Sequence, residues 1–107
     1  WLPEDTPNPD ATKYFISEWK KRGFNFAGTT ESFRGYDGIR TIVAGIEKAG
    51  KAEPAAITEA LWHVEVKGLN GTVKFAKVGP AGKESAQSTP NVYLVKIVDG
   101  KVTHPKL

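Results

Sequence analysis

The stretch Gly45-Ile-Glu-Lys-Ala-Gly50-Lys51 fits the first seven positions of a phosphate-binding loop, G-x-x-x-x-G-K. That loop continues with a Ser or Thr whose hydroxyl reaches a magnesium ion, and it joins a strand to a following helix. Position 52 is Ala, and the motif falls at the end of a helical pattern. Carbonyls point outward at a helix C-terminus, and that end repels phosphate. Gly50 therefore reads as a helix cap, and the shorter Gly79-Pro-Ala-Gly-Lys83 carries no further weight.

Other chemistry has little to stand on. His63 and His104 are far apart, and neither has another histidine at i, i+4, so no metal site is expected. There is no cysteine, which removes disulfides, thiolate metal sites and thiol catalysis together. No G-x-S-x-G elbow surrounds Ser85 or Ser88. The carboxylate pairs Glu4 with Asp5 and Glu31 with Asp37 have no spacing that makes them converge. The expectation is a protein that is not an enzyme and uses no cofactor. Asn70-Gly71-Thr72 is a formal glycosylation acceptor, relevant only in a eukaryotic secretory setting, and Asn-Gly also forms turns. The remaining lead is aromatic. Phe24, Phe26, Phe33 and Tyr36 cluster around a loop-to-helix junction, where they either line a pocket for an apolar solute or pack two helices together.

These residues need elements to hold them. Asn8-Pro9-Asp10 offers a cap, a proline for the first turn and an acid for the positive helix end, so a helix is expected from about Pro9 to Arg22, its face made by Ala11, Phe15, Trp19 and Arg22. Gly23 terminates it. A second helix is expected from Ser32 to Ala49, with Tyr36, Ile39, Val43 and Ile46 on its apolar face and Phe33 and Ile42 widening it. A third starts at Pro54, burying Ile57, Ala60, Leu61 and Val64. Beyond Val66 the period changes to two. Thr72 to Phe75 reads as a short strand, Lys77 to Pro90 as a long loop and Val92 to Val98 as the strongest strand. Asp99-Gly100 turns into a return arm, Val102 to His104. The order is three helices followed by three short strands, in one unit with a helical part over about 1–66 and a strand-rich part over about 67–107. So few strands make a marginal sheet without added partners.

With 107 residues, the chain has the length of one domain. Its net charge of +3 is spread among acids rather than gathered in a block, which reads as a solvated surface and not as a nucleic-acid site. No apolar run is long enough to span a bilayer. There is no methionine, even at position 1, so a removed leader or a longer parent chain is expected.

Three features together resemble the C-terminal part of type I periplasmic solute-binding proteins, the branched-chain amino acid (Leu/Ile/Val-binding) family of ABC transport receptors. The first is the helix ATKYFISEWKKRG followed, after a loop, by GYDGIRTIVAGIEKAG, with a Tyr-Asp-small opening and an Ala-Gly end. The second is the short helix EPAAITEAL. The third is GLNGTVKF, a G-x-x-G turn and strand, followed by a glycine loop and VYLVKIVDGKV. The similarity runs from Asn8 to about Lys101. It implies a fragment of an α/β fold of two hinged lobes, with the helices mainly in the N-terminal lobe. A small organic solute, an amino acid or an aromatic or organic acid, would close into the cleft. It also implies the remainder of its own chain and an ABC-importer permease as partners, and a periplasmic location, or an extracellular, membrane-anchored one in a Gram-positive organism. Carried over, Thr30 and Glu31 would offer polar ligand contacts, Phe33 an apolar face, and Tyr36 would stand close behind. Two other readings remain: a free-standing small basic α+β interaction module that touches nucleic acid, and a receptor fold used for sensing. Dimerisation through exposed apolar surface is a further expectation.

Overall fold

The computed structural model describes residues 6–24 and 29–103. Their elements are α1 (Pro9–Lys21), α2 (Thr29–Ala49), α3 (Pro54–Leu61) and six short strands: β1 (Val66–Gly68), β2 (Gly71–Val73), β3 (Ala76–Val78), β4 (Ser85–Gln87), β5 (Lys96–Val98) and β6 (Lys101–Thr103). The strands pair as three separate antiparallel hairpins, β1 with β2, β3 with β4 and β5 with β6. The described residues thus form a small α+β domain and not the α/β arrangement expected; they contain no parallel pair.

Helix limits follow the punctuation in the sequence. Asp10 lies in the first turn of α1, and Lys20 and Lys21 lie in the last, each charge opposing the dipole at its end. Asn8 occupies the cap position but makes no side-chain cap bond. Its amide instead donates to the carbonyl of Gly68, while its own carbonyl accepts from Thr12 N at 3.0 Å. α2 ends at Gly50, which adopts φ +68° and donates to Ile46 O at 2.9 Å. Glycine takes this left-handed conformation without a Cβ penalty.

The buried face of α2 is not the one its aliphatic residues predict. Phe33, Asp37, Thr41 and Gly45, spaced by four, are buried, whereas Ile39, Ile42 and Val43 are exposed. Two contacts select this face. At one end, Gly45 lets α3 approach, since a Cβ there would lie 3.0 Å from Leu61 Cδ2 and 3.4 Å from Ile57 Cγ2. At the other, the β1–β2 turn docks onto Asp37. In α3, Ala60 is buried, as is Val64 just beyond its end.

The core gathers Phe15 of α1, Phe33 of α2 and Leu69 of the β1–β2 turn, with Ile16, Trp19 and Tyr36 packed around them. Each large apolar side chain buried in this way contributes about 1.5–3 kcal/mol. Leu69 is fully buried, and its surroundings show why a two-residue turn can anchor a domain. Leu69 O accepts from the Thr6 hydroxyl, and Leu69 N donates to Asp37 Oδ2 at 2.7 Å. On the strand just before it, Lys67 O accepts from Arg40 Nη1 at 3.0 Å. Asn70 O accepts from Asn91 N at 3.4 Å, and Asn70 Nδ2 donates to Asn91 O at 3.0 Å. Segments from four parts of the chain meet at this turn.

The strand region departs furthest from expectation. The strand expected at 72–75 is β2 at Gly71–Val73. The stretch expected to be a loop, 77–90, holds most of β3 and all of β4, in register Ala76 with Gln87. The long strand expected at Val92–Val98 is paired only over Lys96–Val98. A β-prone segment becomes a strand only where another strand satisfies its backbone, and residues 92–95 have none among the described residues. The return arm is Lys101–Thr103; His104 and Pro105 lie outside the described residues. Asp99 and Gly100, with φ of 49° and 73°, form the type I′ turn expected of Asp-Gly.

Candidate functional site

A concave groove of about 940 Å3 opens between α2 on one side and residues from the β1–β2 turn onward on the other. Its walls are mainly apolar, with Phe33, Ile42, Leu61, Val73, Phe75 and Val95 among them. Polar side chains also line it, and three of them, Asp37, Asn70 and Tyr93, each carry a buried atom without a hydrogen-bond partner among the described residues. A groove of this size, with apolar sides and a few polar groups, suits a small organic molecule.

Local sequence explains each polar position. Asp37 follows Phe33 by one helical turn, so both project to the same side of α2. Asn70 occupies the second corner of the two-residue turn closed by the Gly68–Gly71 pair. Tyr93 comes two residues after Asn91, which Asn70 holds in place. Gly68 lets the turn and the acid come together: a Cβ there would sit 2.5 Å from Asp37 Oδ2 and 2.9 Å from Gly71 O.

Asp37 is only 6% exposed. Burial raises its pKa above the ordinary 3.8, opposed by the Leu69 N–H, the Arg40 charge and the Asn70 N–H. Its Oδ2 is held by Leu69, but Oδ1 makes no hydrogen bond among the described residues and faces Arg40 Nη1 at 3.6 Å. The Arg40 guanidinium also lies over the Tyr36 ring, 5.4 Å from its centroid. Asn70 Oδ1 and the Tyr93 hydroxyl are likewise buried without a hydrogen-bond partner among the described residues. Two carbonyl-type acceptors and a phenol favour a bound group that donates hydrogen bonds.

Of the residues expected to bind a ligand, Phe33 and Tyr36 face different hollows. Phe33 is buried in the core and lines this groove. Tyr36 faces a second hollow of about 610 Å3 between α1 and α2, with Tyr14, Trp19, Phe24 and Ile39. Its ring packs 5.1 Å from that of Phe15, and the rings of Trp19 and Phe24 meet at 5.0 Å. The aromatic cluster therefore divides between helix packing and groove. Thr30 belongs to the first turn of α2 with Glu31 beside it; the side chains of both, like the whole of Phe26, lie outside the described residues. From sequence, Asn70 reads only as a turn former or formal glycosylation acceptor, and Phe75 and Tyr93 only as strand residues. The Gly68-x-x-Gly71 spacing is the signal that marked their neighbourhood.

The dismissed motifs have structural explanations. Lys51 pairs with Glu53 at 2.6 Å, and Gly45 is a helix-packing residue. Asn70, the formal glycosylation acceptor, is 7% exposed with its amide nitrogen engaged, so it serves the turn. His63 is exposed and lies 3.7 Å from Glu59 Oε1. Neither Ser85 nor Ser88 hydrogen-bonds a histidine among the described residues, which contain no group of three or more potential metal ligands. No described helix is long and apolar enough to cross a membrane.

Comparison with protein-family models, curated proteins and solved structures gives no match.

Proposed function

We propose that the chain is a segment of a type I periplasmic solute-binding receptor serving an ABC importer, and that the groove beside α2 forms part of its ligand cleft. The observation that carries this reading is the bond from Leu69 N to Asp37 Oδ2. It joins the Tyr36-Asp37 helix opening to the Gly68-x-x-Gly71 turn, and these are two of the three patterns behind the family resemblance. In this chain the bond gives the two patterns a shared physical reason, since one binds the other. The open apolar groove also supports the reading, since a cleft closed by hinge motion presents one such wall on each lobe.

The mechanism would be reversible closure around an amino acid or another small organic solute, with no bond made or broken. Closure is favoured to the extent that the solute binds the closed state more tightly than the open one. Calorimetric titration of the chain, and of the native gene product that contains it, with leucine and with phenylalanine tests this. The expected result is weak or absent heat with the chain alone and micromolar binding with the full product. Micromolar binding by the chain alone, or a native product without a second lobe, would overturn the reading.

A further inference from the structure

Residues 92–95 carry strand-type side chains but make no backbone hydrogen bond to any other segment among the described residues; the last such contact is Asn91 N to Asn70 O. The side chains that follow are exposed to a degree unusual for aliphatics: Val92 is 91%, Leu94 66% and Ile97 71% exposed, and Val95, Val98 and Val102 are more than two-fifths exposed. An apolar side chain alone can rest against any greasy surface, but a run of unpaired N–H and C=O groups calls for another strand.

Among the described residues β5 has one edge free for such a strand. In a two-residue hairpin the pair flanking the turn exchanges backbone hydrogen bonds, and here that pair is Val98 with Lys101. Lys96 and Val98 therefore direct their backbone groups toward β6. The Thr103 hydroxyl, 3.0 Å from Lys96 O, lies on that same side. Ile97 directs its own away from it, and in an extended continuation of the strand Val95 and Tyr93 would do the same.

We propose that this free edge, extended back to Val92, pairs antiparallel with the same segment of a second copy of the chain, about a two-fold axis at Val95. In this register Val95 faces its own counterpart, Tyr93 faces Ile97, Leu94 faces Lys96 and Val92 faces Val98. The odd-numbered residues, whose backbone groups are free, become the hydrogen-bonded pairs. The segment's one cation, Lys96, falls opposite Leu94, and the two copies of Lys96 do not face each other, which avoids the like-charge pairing that destabilises adjacent strands. The exposed apolar side chains of Val92, Leu94, Val95, Ile97 and Val98 meet their counterparts across the seam, so the pairing adds apolar cross-strand contact to the main-chain hydrogen bonds. Closed two-fold pairing also removes the edge, whereas a displaced register leaves it open for further addition.

The test is sedimentation equilibrium of the chain across a hundredfold concentration range, with amide hydrogen exchange at both ends of that range. The expected result is a monomer–dimer equilibrium in which the amides of Tyr93, Val95 and Ile97 gain protection with concentration and that of Leu94 does not. Val95→Lys places two ammonium groups face to face at the axis and should weaken the dimer at least about tenfold, with the far-UV circular dichroism of the monomer unchanged. Lys96→Ala, away from any like charge, should leave the dimer intact. A monomer throughout the range, equal protection of odd and even amides, or a dimer indifferent to Val95→Lys would overturn the proposal.

Discussion

Replacing Gly68 by Ala tests the contact on which the fold and the groove both depend. The new Cβ would lie 2.5 Å from Asp37 Oδ2, 3.0 Å from Asp37 Cγ and 2.9 Å from Gly71 O. Neither neighbour yields easily: Gly71 O is backbone, and the Asp37 carboxylate is anchored by Leu69 N at 2.7 Å. Overpacking of this kind costs about 1–3 kcal/mol. Pushing the carboxylate away also removes a charge-assisted hydrogen bond worth about 1.5–3 kcal/mol. The expected loss is thus about 2.5–6 kcal/mol, and a domain of this size loses roughly 4–8 °C of Tm per kcal/mol. Urea unfolding followed by circular dichroism measures it. A double-mutant cycle with Asp37→Ala then isolates the cause. With the carboxylate gone, only the Gly71 contact remains, so the two losses should fall short of additivity by at least about 1.5 kcal/mol. A Gly68→Ala protein within about 0.5 kcal/mol of the parent, or a cycle additive to within that margin, would refute the placement of Asp37 against the turn.

Further outcomes follow from the same packing. Burial raises the folded-state pKa of Asp37 above 3.8, so the folded chain holds that proton more tightly than the unfolded chain does. The stabilising contribution is full below pH 3.8 and is lost as pH rises through the raised value. The stability of the parent relative to Asp37→Asn should therefore decline over that window and then level off, as urea melts at a series of pH values would show. Leu69→Ala empties a fully buried position and should cost about 2–5 kcal/mol, read from the same melts. Gly45→Val drives a branched side chain into Leu61, whose Cδ2 lies 3.0 Å from even a single added Cβ; a loss of about 1–3 kcal/mol is expected, with α3 amides exchanging faster.

Helix positions were legible because their signals are local. Pro9 and Pro54 begin helices, and Gly50 ends one through its own backbone conformation. The buried face of α2 was not legible. Hydropathy assigns Ile39 and Val43 to the core and says nothing for Asp37 or Thr41, yet a turn distant in sequence satisfies the carboxylate, and Thr41 returns its hydroxyl to Asp37 O at 2.7 Å. Tertiary hydrogen bonding chose the face. The strands failed for a related reason, since strand formation requires a partner that no local pattern contains. At Val92–Val95 the composition is right and the partner is absent among the described residues; at Ser85–Gln87 the composition is unpromising and a partner is present. In the groove, Phe33 was visible as an aromatic near a helix start. Asn70 was visible only as a turn residue, and its unpaired Oδ1 depends on how the turn is docked.

The Leu69 turn also bears on the order in which the chain loses structure. Contacts to it and to Gly68 beside it span 63, 60 and 32 residues, and the link from Asn70 to Asn91 spans 21. Once the 32-residue loop is closed, closing one twice as long costs only about 0.6 kcal/mol more, so the longer links follow readily from the shorter. The reverse also holds. Releasing the turn frees the segment before α1, the α2 anchor and the chain leading to β5 in one event. The amide of Leu69 should therefore exchange only through global unfolding, and protease cleavage between Gly68 and Gly71 should require opening of the whole domain, whereas the β3–β4 hairpin can fray while everything else stands.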